Sequence, residues 1–367
     1  MIFNLFRIFP LKSNRVSFIT TKNASFESNL RFLADELKGR ETSKGEKYEY
    51  HFIPKDQFSL SNMKLLATSK YVFLTDNFFA IAFMRFHKKA KLIQLWHGTG
   101  LFKKFGYDLL EDNEKKVMLK FSNKITNLFV SSKNVVDIYA RNFAIDKSKV
   151  IPLGIPRNDF YSKEHLDEKF ISNLKAEFEK DYPNLRGKKI VLYAPTFREH
   201  PKYNAVFNYF DVEQFIEELG DEYILCIKLH PNYNKFTDKD YQIDLDELSQ
   251  TYNIVNFTEY KDEQKLFLIS DILITDYSSV MVEYTLLKKP IILFVYDLDN
   301  YLEKERGFYF DYRKSVPGNI VQNTDELIDV IKNEDFNMKN LERFANFQFD
   351  YFDEFSSKRI LDYVLDD

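Results

Sequence analysis

KIVLYAPT, residues 189–196, decides the fold. Ile190 to Tyr193 form an uncharged apolar run, and Ala-Pro-Thr then breaks it. A short continuous apolar run closed by a breaker reads as a strand buried on both faces. Just before it lie "HLDEKFISNLKAEFEKDY" (165–182), with helical spacing, and "PNLRGKK", with Pro183 and Gly187 as punctuation. After it the pattern repeats as "YILCIKLH" (223–230), "NIVNFT" (253–258), "ILITD" (272–276) and "PIILFVY" (290–296). Helix-patterned stretches such as "DEQKLFLIS" (262–270) and "SVMVEYTLLKK" (279–289) separate these runs. Strands alternating with helices build a parallel, doubly wound sheet.

The same alternation precedes residue 165. "RVSFIT" (15–20), "YEYHFI" (48–53), "YVFLT" (71–75), "LIQLWH" (92–97), "NLFVSS" (127–132) and "KVIPLG" (149–154) read as strands. "NLRFLADEL" (29–37) and "FFAIAFMRFHKKA" (78–90) read as helices. The sequence therefore predicts an α/β protein with two Rossmann-like, doubly wound domains facing a cleft. Their expected bounds are 1–185 and 186–339, with a helical segment 340–367 crossing back to the first. The chain's 367 residues suit two domains of ~100–200 residues each.

Composition excludes several classes. Hydrophobic residues make up 44%, enough for full cores, and the 17% aromatics read first as core filling. The single cysteine, Cys226, rules out an internal disulfide framework and a cysteine-rich metal site, and suits a cytosolic setting. No run approaches the ~20 apolar residues of a membrane span. The opening "MIFNLFRIFPLK" is apolar and basic but lacks a small-residue cleavage site, so it is not read as a signal peptide. Net charge is −4, yet residues 1–110 carry 18 Lys and Arg against 9 Asp and Glu. That basic front half fits an anionic partner. The pI of about 6.0 argues against nucleic acid, whose binding domains usually exceed ~9. No P-loop, strand-linked Gly-x-Gly-x-x-Gly, paired-histidine zinc motif or Gly-x-Ser-x-Gly elbow is present.

Ligands of open α/β sheets bind beyond the carboxyl ends of the strands. Four post-strand loops stand out: "LWHGTGLFKKFG" (95–106), "LYAPTFRE" (192–199), "IKLHP" (227–231) and "LITDYSSVMVEY" (273–284). In the last, Ser278 and Ser279 stand at a helix start. Capping is the structural reading. A phosphate seat is the functional one, since helix N-termini attract anions. Thr275 and Asp276 are harder to explain as caps. His230, held extended by Pro231, is a phosphate-contact candidate. Arg198, with its planar fork, is a third possible anion ligand. His51, His87, His165 and His200 have no comparable context.

Together these loops resemble the CDP-glycerol glycerophosphotransferases that prime and polymerise teichoic acids. The resemblance rests on "WHGT" followed by lysines, "GIPRND" (154–159), "YAPTFRE", "KLHP", "TDYSSVMVEY" and "RGFYFDYRKSVPGNIV" (306–321), and on the entry "FPLKSNRVSF". It implies a GT-B-type fold with the acceptor site in the first domain and the CDP-polyol site in the second. It implies His97 as general base and His230 as a second essential histidine near the donor pyrophosphate. Thr275, Ser278 and Ser279 then look like phosphate ligands. Pro195, Asp276, Arg198 and Arg306 lie in the donor motifs, and Glu283 is suited to the ribose hydroxyls. In the first domain, Trp96 would shield the site, Gly98 and Gly100 would let the backbone turn, and Thr99, Lys103 and Lys104 would meet a phosphorylated acceptor. "TTKNASFESN" (20–29) does not match the family's usual acceptor loop, and the 367 residues do not include the long N-terminal membrane-targeting region of some polymerases.

The expected activity is transfer of a polyol phosphate, glycerol phosphate first, from CDP-glycerol or CDP-ribitol. The acceptor is a hydroxyl of a lipid-linked or polymeric teichoic acid or capsule-type precursor, and CMP is released. The resemblance further implies work at the inner face of the cell membrane, against an anionic surface, with no cofactor or metal required. The alternative is a GT-B-type glycosyltransferase or sugar-nucleotide epimerase acting on a nucleotide-sugar.

Overall fold

Every apolar run quoted above forms a strand, because β-branched and aromatic side chains suit a pleated sheet packed on both faces. The computed structural model describes residues 2–21, 28–56, 58–198, 200–230, 233, 237, 243–304 and 307–365. In the first half the strands are β1 (Lys12–Thr20), β2 (Glu49–Pro54), β3 (Ser69–Leu74), β4 (Lys91–Gln94), β5 (Asn127–Phe129) and β6 (Val150–Ile151). They form one sheet in the order β2-β1-β3-β4-β5-β6, with every pairing parallel. In the second half β7 (Lys189–Tyr193), β8 (Tyr223–Ile227), β9 (Ile254–Asn256), β10 (Ile272–Thr275), β11 (Ile291–Phe294) and β12 (Asn319–Val321) form a second parallel sheet. Its order is β12-β11-β10-β7-β8-β9.

Strand order locates the functional edges. In an open α/β sheet the ligand crevice lies where the order reverses. The first sheet reverses between β1 and β3, and the second between β7 and β10. The loops after β3 and after β7 and β10 therefore flank the switch points.

Two compact units result. One comprises the residues to Phe160 together with those from Phe347 onward, and the other is Tyr161–Asn346. This division falls earlier than the 185/186 joint and later than the return at 340 expected from the sequence. Helix Glu168–Asp181 explains the first shift. It buries Leu174 and Phe178, and Phe178 packs on Phe257 and Tyr260 of the second unit. Asp167 caps its start by accepting the Lys169 and Phe170 N–H groups, and Pro183 follows its end. In the first unit, Ile360, Leu361 and Val364 of helix Ser356–Val364 join the sheet's core beside Val16, Phe18 and Tyr71.

One sequence expectation fails. "FFAIAFMRFHKKA" gives only a 3-10 turn at Phe79–Phe83 rather than a helix over 78–90. Its aromatic residues are poor helix formers, and the backbone is already extended at Met84.

Candidate functional site

In the first unit the decisive loop leaves β4 at Gln94. Gln94 is fully buried. Its side chain accepts the Trp96 N–H at 2.8 Å and donates to the Asp76 carbonyl at 3.3 Å. Trp96 adopts φ 59°, a left-handed conformation costing a non-glycine residue roughly 1–2 kcal/mol. Its surroundings hold it there. Asn29 donates to the Trp96 carbonyl at 3.0 Å and accepts the Arg157 N–H at 2.9 Å. The indole packs on Phe105 and Phe143, with centroids 5.3 and 5.1 Å away, and on the His97 ring at 4.1 Å. Strain maintained in this way is a pointer to function.

The turn thus occurs at Trp96, so the strand stops short of the "LIQLWH" reading. Gly100, at φ 67°, takes the left-handed conformation that favours glycine. Gly98 has no such need, because a Cβ there would meet only the Trp96 side chain at an ordinary 3.7 Å. Further along, the Tyr139 hydroxyl donates to the Gly100 carbonyl at 2.8 Å. Buried Gln348 accepts the Leu101 N–H at 2.8 Å and donates to the Leu101 carbonyl at 2.7 Å. Thr99 is buried and donates to Asn158 at 3.1 Å. It is part of the loop's framework. Lys104 is exposed and Lys103 half-buried.

His97 itself is exposed on this loop. Its pKa lies below the usual histidine value, first because protein crowds the ring. Nearby Asp76 and a hydrogen bond to the Thr75 backbone act upward, while Lys55 and Arg157 act downward. Water reaches the exposed side of the residue and screens part of the crowding effect. Lys55, which follows β2, pairs with Asp76, which follows β3.

"GIPRND" serves this loop and the returning helix together. Gly154, at φ 98°, lies so close to Ser356 that a Cβ would sit 2.4 Å from its Oγ. Asn158 holds Thr99. Asp159 accepts the Ser356 and Ser357 N–H groups at 2.8 and 2.7 Å, capping helix Ser356–Val364.

In the second unit the loops after β7, β10 and β11 meet around Arg198. This side chain is 1% exposed. It pairs with Asp276 at 2.6 Å and with both oxygens of Asp297 at 3.0 Å, and it donates to the Thr196 carbonyl. Its guanidinium lies 5.0 and 5.1 Å from the Tyr277 and Tyr296 ring centres. Asp276 is equally buried and accepts the Thr196 N–H at 2.9 Å. Thr275, fully buried, donates to the Ala194 carbonyl at 2.7 Å. Arg198, Asp276 and Thr275, read from the sequence as donor-site residues, are buried struts that clamp the switch-point loops, and their side-chain polar atoms meet protein partners.

Ser278 and Ser279 remain accessible. Ser279 is exposed and makes no capping hydrogen bond, and Ser278 accepts the Val280 N–H at a long 3.4 Å. The helix they precede, Val280–Tyr284, has only five residues. Capping therefore accounts for neither hydroxyl well. His230 is exposed after β8 and stacks on Phe197, with centroids 4.5 Å apart. Pro195 is buried just after β7. Glu283 is buried, and one of its oxygens accepts from Tyr161 at 2.9 Å and Gln264 at 2.8 Å. Arg306 and residues 22–27 of the "TTKNASFESN" loop lie outside the described residues. Cys226 is buried in β8, and burial pushes its thiol pKa up, as suits an inert core residue. Among the described residues no cluster of three His, Cys, Asp or Glu side chains is arranged to hold a metal. No helix among them is long and apolar enough to cross a membrane.

Sequence reading overlooked Asp76, Lys55, Arg157 and Asp297. The signal was available, since Lys55, Asp76 and Asp297 stand one to three residues beyond the ends of β2, β3 and β11.

The family model for CDP-glycerol:poly(glycerophosphate) glycerophosphotransferase matches residues 1–366. The teichoic acid poly(ribitol-phosphate) polymerase of Bacillus spizizenii is 35% identical over 374 residues, covering 99% of this chain and 58% of that protein. The chain thus spans a little over half the length of that relative. The teichoic acid glycerol-phosphate primase of Bacillus subtilis is 32% identical over 324 residues, covering 87% of this chain and 77% of that protein. Among solved structures, the wall teichoic acid polymerase TagF superposes with a TM-score of 0.75 at 22% identity, covering 99% of this chain and 92% of that one. That likeness establishes the GT-B-type fold.

Proposed function

Because the chain belongs to the CDP-glycerol:poly(glycerophosphate) glycerophosphotransferase family, we propose that it transfers a polyol phosphate from a CDP-activated donor to a hydroxyl of a teichoic acid-type acceptor. The observation that carries this reading is His97, exposed on a loop that at least five side chains fix in place. A general base must be held where its proton arrives, and such a loop does that. His97 takes the proton of the acceptor hydroxyl. The oxygen then bonds to the donor's β-phosphorus, the bond from that phosphorus to the bridging oxygen breaks, and CMP leaves.

The second unit binds the donor. Ser278, Ser279 and His230 take its phosphates, and Glu283 takes the ribose hydroxyls. The Arg198 clamp keeps their loops in register. Lys103 and Lys104 draw in a phosphorylated acceptor, so the first unit is the acceptor domain.

The test is incubation with CDP-glycerol, CDP-ribitol and UDP-sugars separately, each with a lipid-linked polyol phosphate acceptor. CMP release, with the acceptor gaining the mass of one or more polyol phosphates, is the expected result. It also tells glycerol from ribitol. UDP release from a nucleotide-sugar, or its conversion to an epimer, with no CMP from either CDP-polyol, would establish the glycosyltransferase or epimerase alternative instead.

The acceptor reading extends to a membrane surface. The turn Ile2–Ile8 exposes Ile2 (58%), Leu5 (68%) and Ile8 (84%). Leu60 is exposed on the helix Leu60–Ala67 that packs against it. Cations accompany this apolar face: the Lys64 ammonium sits 4.3 Å from the centre of the Phe9 ring. Apolar side chains with basic neighbours suit an anionic interface. Co-flotation with anionic vesicles should therefore weaken as salt rises, because exposed charges are screened beyond ~8 Å at physiological ionic strength. Replacing Leu5 and Ile8 together by Asp should abolish it. Flotation that is absent, or indifferent to both changes, would show that this face does not meet lipid.

A further inference from the structure

We propose that Asp76 is a positioning residue for His97: its carboxylate stabilises the imidazolium formed when the ring takes the acceptor's proton, and Lys55 limits how strongly it does so. The inference rests on the base role given to His97 above.

The geometry comes from the first sheet. β3 and β4 pair in parallel with Leu74 opposite Gln94. The Leu95 N–H donates to the Leu74 carbonyl at 2.8 Å, so the two chains leave the sheet side by side. Thr75 and Asp76 thus emerge alongside Leu95 and Trp96, at the edge where this sheet's strand order reverses. The Gln94 amide reaches across to the Asp76 carbonyl. The Thr75 backbone and Asp76 both favour the charged form of the His97 ring.

Asp76 is itself held. One carboxylate oxygen accepts the Asn77 N–H at 2.7 Å, and the other pairs with Lys55. β2, β3 and β4 thus deliver Lys55, Asp76 and His97 to one edge, cation next to anion next to base. Among the described residues, the charged groups that act most on His97 are Asp76, Lys55 and Arg157. When His97 takes the proton, an O–H bond breaks, an N–H bond forms, and the ring becomes a cation. Asp76 favours that cation, whereas Lys55 and Arg157 oppose it. Lys55, paired with that carboxylate, limits how far it favours the cation.

The test reads the ring directly. His97 is titrated by NMR in the whole chain, its signal assigned by its loss in His97→Ala, and Asp76→Asn and Lys55→Met are then compared with the parent. Removing the carboxylate's charge should move the His97 titration to lower pH, and removing the ammonium's should move it to higher pH. The acidic limb of the kcat profile should follow in each variant. In Asp76→Asn, kcat should fall by up to about 10²-fold, the lower end of a base's contribution, with donor KM unchanged. A purely structural role for Asp76 would not shift the two variants in opposite directions. Identical His97 titrations in parent and Asp76→Asn, with melting temperature retained, overturn the proposal. If Asp76→Asn fails to fold, Lys55→Met decides: an upward shift supports the proposal, and none overturns it. Opposite shifts in a protein that turns over no CDP-polyol would leave the pairing standing and reject the transferase reading.

Discussion

His97→Ala should lower turnover by about 10²–10⁴-fold while donor affinity and melting temperature stay near those of the parent chain. The range is what a positioned general base typically contributes. An alcohol is a poor nucleophile at neutral pH, so its proton must leave as the bond to phosphorus forms. Histidine suits this task because its ordinary pKa of ~6.5 lies near working pH, and here protein crowding moves it lower still. The neutral, proton-accepting ring is therefore present at somewhat lower pH than usual. Little structural loss is expected from the substitution. His97 is exposed, and the loop's shape depends on Gln94, Asn29, Tyr139, Asn158 and Gln348 rather than on the imidazole. Turnover by CMP release, donor binding by calorimetry and a thermal melt check the three parts. Turnover within a few-fold of parent, or joint collapse of binding and folding, would remove His97 from the base role.

Arg198→Ala has its large effect on stability instead. The substitution leaves Asp276 and Asp297 buried without their cation. Breaking a buried ion pair by removing one partner costs about 3–5 kcal/mol. Both carboxylates and the guanidinium are almost wholly out of water, so solvent does little to soften that cost. For a unit of this size the melting temperature should drop by roughly 6–20 °C. Arg198→Lys should recover only part of it, because an ammonium cannot span both carboxylates as the planar fork does. Urea titration and calorimetry measure the loss. A variant that melts like the parent but binds donor poorly would return Arg198 to the phosphate-ligand role read from the sequence.

His97 and Arg198 differ in what the sequence reveals: a polar residue after a strand is legible, and its burial is not. The strands were legible because parallel sheets buried on both faces need unbroken apolar runs, as in Ile190–Tyr193 and Tyr223–Ile227. Strand order was not, since it depends on pairing between segments far apart in the chain. Without it, the reversal between β7 and β10 could not be located. His97 and the serines stood out as polar residues after strands. Arg198, Asp276 and Thr275 stood out for the same reason, but type and position do not reveal whether a charge faces water or another charge. The glycines of "HGTG" misled by half. Gly100 carries the left-handed turn, while the other strained position belongs to Trp96, a residue that propensity alone would never place there.

The first unit is assembled from two stretches of chain separated by the whole of the second, and Asp159 and Gly154 grip a helix that begins at Ser356. This sets an order of events during synthesis. The second unit is one continuous stretch and can close on the ribosome as soon as it has emerged. The first must wait with its sheet uncovered where Ile360, Leu361 and Val364 will lie. The unit that bears His97 thus matures after the other, and ribosome-bound chains that have not yet released this helix hold a finished second unit beside an unfinished first one.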